Sequence, residues 1–414
     1  MASKVKESMT IILPIKESDY DIFMKDNSIA RSIINGYIEL YPEIFPVGVL
    51  SGWSLNGSDR PSKKSGYRLR RILIGGNNYR IRPSFILSYH RGKTDDVWRG
   101  LFLLKFGVPF WALAFVFGKY AMWWYRLFLS LGENSIVGTT IRKPDDLPKD
   151  LLADEHHIRQ AGSKAYVATT VGGGCFLGMA ASIGSDTESL KLAYGGFKAE
   201  ALGLSTDYEP DSVNTDGWSA TQNTWKFLFP KIAVVECFLH AFLKVRDRAT
   251  KKLQAFFDVA ADRIWECYRA ESKRSLAQQI RRLGEWTEKN VRDCPMKQNI
   301  LKLCKKKDRW MRHFDSVSAH RTSNMVDRLM RAMKKHAYNS QMFHSKNIDR
   351  TTDNFRAFAL IYNFVPSCPS VWKENSSLKS PAARINNFVY HENWLHNLYI
   401  SASLGGFRNQ RNPL

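Results

Sequence analysis

The sequence predicts an α/β protein, on three observations. Apolar stretches between residues 151 and 240 switch between strand-like and helix-like spacing, two more strand-like runs lie upstream around a glycine turn, and the apolar segment between them breaks into short capped pieces. The chain has 414 residues, 44% of them hydrophobic, which provides cores for two to four domains of about 150 residues. Its formal charge of +22 is too basic for an ordinary metabolic enzyme. A surplus of this size favours a polyanionic partner, most commonly nucleic acid, because each phosphate neutralised releases counterions. Six cysteines without a Cys-x-x-Cys pair, and no apolar segment after Met1, Ala2, Ser3 and Lys4, argue for a reducing, internal compartment.

Residues 1–95 read as a basic N-terminal region. Within it, 51–66 is rich in Ser, Gly and Lys and reads as a linker, while 67–73 and 79–87 read as strands around Gly75, Gly76, Asn77 and Asn78, a hairpin signal. Residues 101–131 are dense in Phe, Trp and Leu. Their longest uncharged run is the 13 residues from 106 to 118, closed by Lys105 and Lys119, whereas a membrane span needs about 20. Gly107, Gly118 and Gly132 stand where helix ends fall and Pro109 where one starts, so three helices are expected near 97–106, 109–117 and 119–131. This trihelical unit, 96–145, is either a plain packing module or a helix-turn-helix whose last helix presents Lys119, Trp123, Trp124 and Arg126 to DNA.

From 146 to 240 the runs fall at 151–155, 165–171 and 175–183 as strands, 186–204 as helix, 213–215 as strand, 218–229 as helix, 232–235 as strand, and a helix from Phe238. That order, βββαβαβα, is the ribonuclease H-like topology, which brings acids on the first and fourth strands together. Asp154 and Asp216 stand at those two places. The segment charges fit the same picture: +9 for 1–145, −5 for 146–240, +10 for 241–320 and +8 for 321–414. An acidic block inside a basic chain suits an enzyme that holds divalent metal at its centre and phosphates around it, and a solvated acidic face has the same signature.

Four stretches carry a family resemblance: Leu152 to His156 (LADEH), Val213 to Trp218 (VNTDGW), Cys237 to His240 (CFLH) and Arg321 to Asp327 (RTSNMVD). With them the chain resembles bacterial insertion-sequence transposases of the DDE type, on the branch related to Mutator-like elements with a Cys/Asp-x-x-His motif. The resemblance covers most of 150–414. It implies a ribonuclease H-like catalytic core in two parts, 146–240 and 321–414, interrupted by a basic helical insertion at 241–320. It also implies an N-terminal DNA-binding region. By the same resemblance Asp154, Asp216 and Asp327 are the catalytic, metal-holding acids, with Asp327 where the family usually has Glu. His240 lies near them, two Mg2+ or Mn2+ ions are the cofactors, and the partner is double-stranded DNA, as element ends and target. A homodimer or larger assembly on DNA, a cytoplasmic, nucleoid-associated location and no membrane partner complete the expectation. The alternatives are a domesticated or decayed relative that binds without cutting, or a ribonuclease H-like nuclease that does not transpose.

Each residue also has a plainer reading. Asp154 suits a strand end, Asp216 suits the N-cap of the helix after it, and Asp327 suits a first helical turn, where it complements the dipole. Glu392 is the reserve for the third acid. Cys237 and His240 share one helical face, but no second pair has zinc-ligand spacing. His156 and His157 fit either a phosphate contact or an exposed turn. Lys305, Lys306, Lys307 and Arg309 read as phosphate contacts, with Trp310 stacking on an unpaired base, or as a solvated helix face. Trp286 is a second stacking candidate.

Overall fold

In a computed structural model, residues 8–88, 90–315, 324–340, 347–372 and 376–407 are described, and among them nine strands form two mixed sheets packed with α-helices. The first sheet combines β1 (Thr10–Leu13), β2 (Trp53–Ser58), β3 (Arg70–Ile74) and β4 (Asn77–Pro83) in the order β1-β4-β3-β2. The β3–β4 hairpin turns at Gly75 (φ 55°) and Gly76 (φ 81°), the two left-handed positions that such a turn requires. The hairpin does not stand alone. Parallel pairing adds β1 to β4, and β2 joins β3 inside the stretch expected as a linker. That expectation is corrected, because Trp53, Ser54 and Leu55 pair with Ile74, Leu73 and Ile72 despite their polar surroundings. Helices α1 (Glu17–Lys25) and α2 (Asn27–Leu40) cover the sheet with Tyr20, Phe23, Ala30, Ile34 and Ile38.

Three helices follow at α3 (Thr94–Leu104), α4 (Phe110–Phe117) and α5 (Ala121–Leu131), then the short α6 (Ile136–Thr140). No described helix is long and apolar enough to cross a membrane. The recognition-helix reading of α5 is corrected in part: Trp123 and Trp124 are buried, and Trp124 fills the space that Gly100 leaves, where a methyl group would stand 2.6 Å from its ring. Lys119 and Arg126 are exposed.

The second sheet has the order β7-β6-β5-β8-β9, from β5 (Asp150–Gln160), β6 (Ser163–Gly172), β7 (Cys175–Ser182), β8 (Ser212–Thr215) and β9 (Ala233–Glu236). The first three strands are antiparallel, and β5, β8 and β9 are parallel. Between them lie α7 (Thr187–Leu204) and α8 (Ser219–Leu228). Both faces of the sheet are buried. Leu151, Ala153 and Ala168 pack with Tyr194, Phe197 and Trp225, while Leu152, Val167 and Phe176 join a core with Phe355 and Phe358.

Residues 238–315 form a separate helical core from α9 (Phe238–Arg246), α10 (Gln254–Arg269), α11 (Lys273–Asn290), α12 (Pro295–Lys305) and α13 (Lys307–Met311). The chain returns through α14 (Asn324–Ser340), α15 (Ile348–Phe364), α16 (Pro381–Asn386) and α17 (Trp394–Ser401). Helix α15 closes the outer edge of β7. Asn363 accepts from Phe176 N at 2.9 Å and donates to Phe176 O at 2.7 Å, so the edge strand has paired backbone groups. The stretches 1–95 and 96–145 share one apolar core with α14, α15 and α17.

Candidate active site

The register of the parallel strands brings the two central acids together. Leu152 on β5 pairs with Asn214 on β8, the last pair of that ladder, and Asp154 and Asp216 each lie two residues beyond it, close enough for the charge of Asp216 to act on Asp154. On the other side Thr215 pairs with Glu236, which sets Cys237 beside Asp216. Asp216 and Cys237 directly follow the carboxyl ends of β8 and β9, the edge at which open α/β sheets bind ligands, while Asp154 lies within β5, just past the point where its parallel pairing with β8 stops. Alternation along β5 turns Asp154 to the face of Leu152, where α14 packs and carries Asp327 in its first turn.

Each acid has a local tie. Asp154 Oδ1 accepts from Glu155 N at 2.9 Å, and Asp216 Oδ1 accepts from Trp218 N at 2.9 Å. The helix after Asp216 begins at Ser219 with Trp218 as its N-cap, so the plainer reading of Asp216 as a helix cap is corrected to a turn contact two residues on. Burial, and then the neighbouring charge of Asp216, push Asp154 up to about 6, with Asp327 adding to the rise and His240 opposing it. His240 is pushed up to about 9, first by its hydrogen bond with the Cys237 side chain and then by Cys237, Asp327 and Asp154, so at neutral pH it is an imidazolium among acids. Asp154 is thus in electrostatic reach of Asp216, Asp327 and His240. Among the described residues, however, no group of three or more His, Cys, Asp or Glu side chains is gathered tightly enough to hold a metal ion. The acids form an adjacent pair with a third charge close by, a looser arrangement than the three-acid cluster expected.

On the opposite face of β5, Glu155 is buried and accepts from Tyr194 Oη and Thr221 Oγ1, both at 2.7 Å, and burial pushes it up to about 7. It anchors β5 to α7 and α8. The two-residue alternation of the strand carried that signal. His156 is partly exposed and pushed down to about 4 by burial and by Lys334, while His157 is exposed and packs against Tyr166 at 4.9 Å. Glu392 lines a different cleft with Lys379, His391 and Trp394.

The basic run of the insertion divides. Lys305 and Lys307 are exposed and line a groove of about 960 Å³ with Arg274 and Arg281. Lys306 and Arg309 instead turn to Glu236, which is only 3% exposed, with Arg309 Nη1 at 3.0 Å from Oε2. Trp310 is corrected as a base-stacking residue. It is 4% exposed, donates to Leu303 O at 3.0 Å and meets Phe238 edge-to-face at 5.3 Å. Trp286 is partly buried, with the Arg263 guanidinium 5.3 Å from its ring. Of the fourth family-like stretch, 321–323 lies outside the described residues. No protein-family model matches the chain, and no curated protein matches it.

Proposed function

We propose that the protein is a DNA transposase of the DDE kind, a metal-dependent polynucleotidyl transferase and nuclease built on a ribonuclease H-like core. The observation that supports this reading is Asp154 on β5 and Asp216 directly after β8, the first and fourth strands of a sheet ordered third-second-first-fourth-fifth, which run parallel as neighbours. The pair fits a divalent cation in kind. Both are hard oxygen donors, and a cation between them would offset the burial and the repulsion that together raise Asp154. Bound Mg2+ or Mn2+, two ions in the full reading, would activate the attacking oxygen and stabilise the leaving one. Asp154 and Asp216 would hold the metal, with Asp327 as the third carboxylate.

The chain's own residues supply the rest. The charged His240 would donate to a phosphate oxygen or hold an acid in place, on the side of the site where α9 begins. Lys305, Lys307, Arg274 and Arg281 outnumber Glu288 and Asp308 in a groove with net positive charge suited to a phosphate backbone, and Lys119 and Arg126 offer exposed charge in the N-terminal half. Assembly of two or more subunits on the DNA belongs to the same reading.

The test is cleavage of a labelled duplex carrying the repeats that flank the gene, with Mg2+ or Mn2+, by wild type and by Asp154→Asn, Asp216→Asn and Asp327→Asn. Wild type should nick at the repeat boundary, and each variant should bind normally but cut at least roughly a hundredfold more slowly, as loss of several kcal/mol of metal assistance requires. Binding without cutting in any metal overturns the reading in favour of a domesticated relative. Cutting without preference for the repeats favours a non-transposing nuclease.

A further inference from the structure

We infer that Glu236 is a positioning residue, which transmits the grip of Lys306 and Arg309 on the helical insertion to the turn that carries Asp216. The inference deepens the proposed function, and its kinetic arm rests on that reading.

Glu236 is the last residue of β9 and is 3% exposed. A buried carboxylate needs compensation, and two cations provide it: Lys306 Nζ bonds Oε1, and Arg309 Nη1 bonds Oε2 at 3.0 Å. Both cations come from the junction of α12 and α13, and their side chains are 36% and 48% exposed, so the pair is buried on the sheet side and open on the insertion side.

The carboxylate presses on the other flank against Gly217. This glycine has φ 92°, and a methyl group built on it would stand 2.6 Å from Glu236 Oε1 and 2.8 Å from Cδ. Gly217 is the middle residue of the turn in which Trp218 N donates to Asp216 Oδ1 at 2.9 Å. Below the turn, Cys237 N donates to Thr215 O at 2.7 Å, continuing the Thr215–Glu236 pair. The turn of Asp216 is therefore walled by a side chain whose own position is set by the insertion. Any shift of α12 and α13 is felt at Asp216 through one carboxylate, and misplacement of a reacting group by about 1 Å costs roughly a hundredfold in rate.

The same two cations have a competing role as plain phosphate contacts, and the two roles separate kinetically. Glu236→Gln keeps the volume and removes the charge. It should lower kcat for cleavage by roughly ten- to a hundredfold, with KM and the Kd for the duplex within about twofold of wild type. The double variant Lys306→Met/Arg309→Met should lower kcat to a similar degree. If it instead raises KM and Kd, reduces the salt slope by about 2 and leaves kcat alone, the cations are phosphate contacts and the inference is overturned.

A second readout does not depend on cleavage. Amide hydrogen exchange at residues 216–218 should quicken by roughly tenfold or more in Glu236→Gln and in the double variant, with residues 165–171 of β6 unchanged. If wild type cuts no DNA at all, the proposed function fails and the exchange result still decides this inference. Exchange at 216–218 equal to wild type overturns it. Should Glu236→Gln not fold, Lys306→Gln and Arg309→Gln weaken the same contact from partly exposed positions and carry the same two readouts.

Discussion

Arg356 on α15 and Glu200 on α7 meet at 2.6 Å with side chains 6% and 8% exposed, joining helices from opposite faces of the second sheet. The guanidinium also donates to Gly132 O at 2.9 Å and Asn134 O at 2.7 Å. The other carboxylate oxygen accepts from Ser135 Oγ and from Val137 N at the start of α6. Removing either partner leaves a buried charge uncompensated. Arg356→Met or Glu200→Leu should cost about 3–5 kcal/mol in urea unfolding, and the double variant Arg356→Met/Glu200→Leu less than the sum of the two singles.

Gly138 lies within α6, where alanine would ordinarily favour the helix by about 1 kcal/mol. Here a methyl group would stand 1.8 Å from the Gly406 carbonyl oxygen. Backbone cannot swing aside as a side chain does, so Gly138→Ala should destabilise by about 1–3 kcal/mol, seen as a lower Tm. A neutral or raised Tm would show that the 403–406 segment yields.

His336 is 3% exposed, stacks on Phe358 at 4.5 Å and shares a hydrogen bond of 2.9 Å with Asn354. Burial pushes it down to about 4 from an ordinary 6.5. The unfolded chain therefore binds the proton first on acidification. Stability from the neutral ring is complete above pH 6.5 and is lost as pH falls from 6.5 toward 4, by on the order of 3 kcal/mol. His336→Phe should remove this loss on acidification from the pH dependence of urea unfolding in that window, leaving the shares of His156 and, with opposite sign, of Asp154 and Glu155.

Asp154 has the opposite sign. Its folded value of about 6 lies above the ordinary 3.8, so its ionised form is strained in the fold, fully so above pH 6. In metal-free buffer at pH 8, Asp154→Asn should raise stability by roughly 1–3 kcal/mol, the usual opposition between a charged site and a stable fold. A lower Tm for this variant would mean that the acid is satisfied within the chain.

The element order from β5 to α9 is legible in the sequence because each run is bounded by a local signal, such as the glycines at 172–174 and Asp216-Gly217. The pairing of Asp154 with Asp216 follows once those strands are taken as parallel neighbours. Other features depend on direction, which composition does not encode. Lys305, Lys306, Lys307 and Arg309 form one basic run, yet the helical junction aims two outward and two at Glu236. Trp310 looked like a stacking residue in that run. It lies beyond the break between α12 and α13, where helical spacing from Leu303 no longer tells which way it faces, and the structure buries both. Strand β1 is four residues long and pairs with β4 about 70 residues on, and β2 has an exposed, polar pattern, so no local apolar alternation announces either.

The C-terminal segment completes the first sheet: Ser8 N donates to Leu404 O at 3.0 Å, and Ile12 N donates to Ser403 Oγ at 2.9 Å across a sequence separation of 391 residues. During synthesis at about 5–20 residues per second, β1 emerges on the order of 20–80 s before the residues that cover it. Throughout that interval its apolar Ile11, Ile12 and Leu13 lack their final cover, because Leu398, Ile400 and Leu404 of the same core have yet to be made. Vectorial synthesis thus leaves β1 dependent on a segment made 391 residues later, and a ribosome that stalls before that segment would release a chain with an open, aggregation-prone sheet.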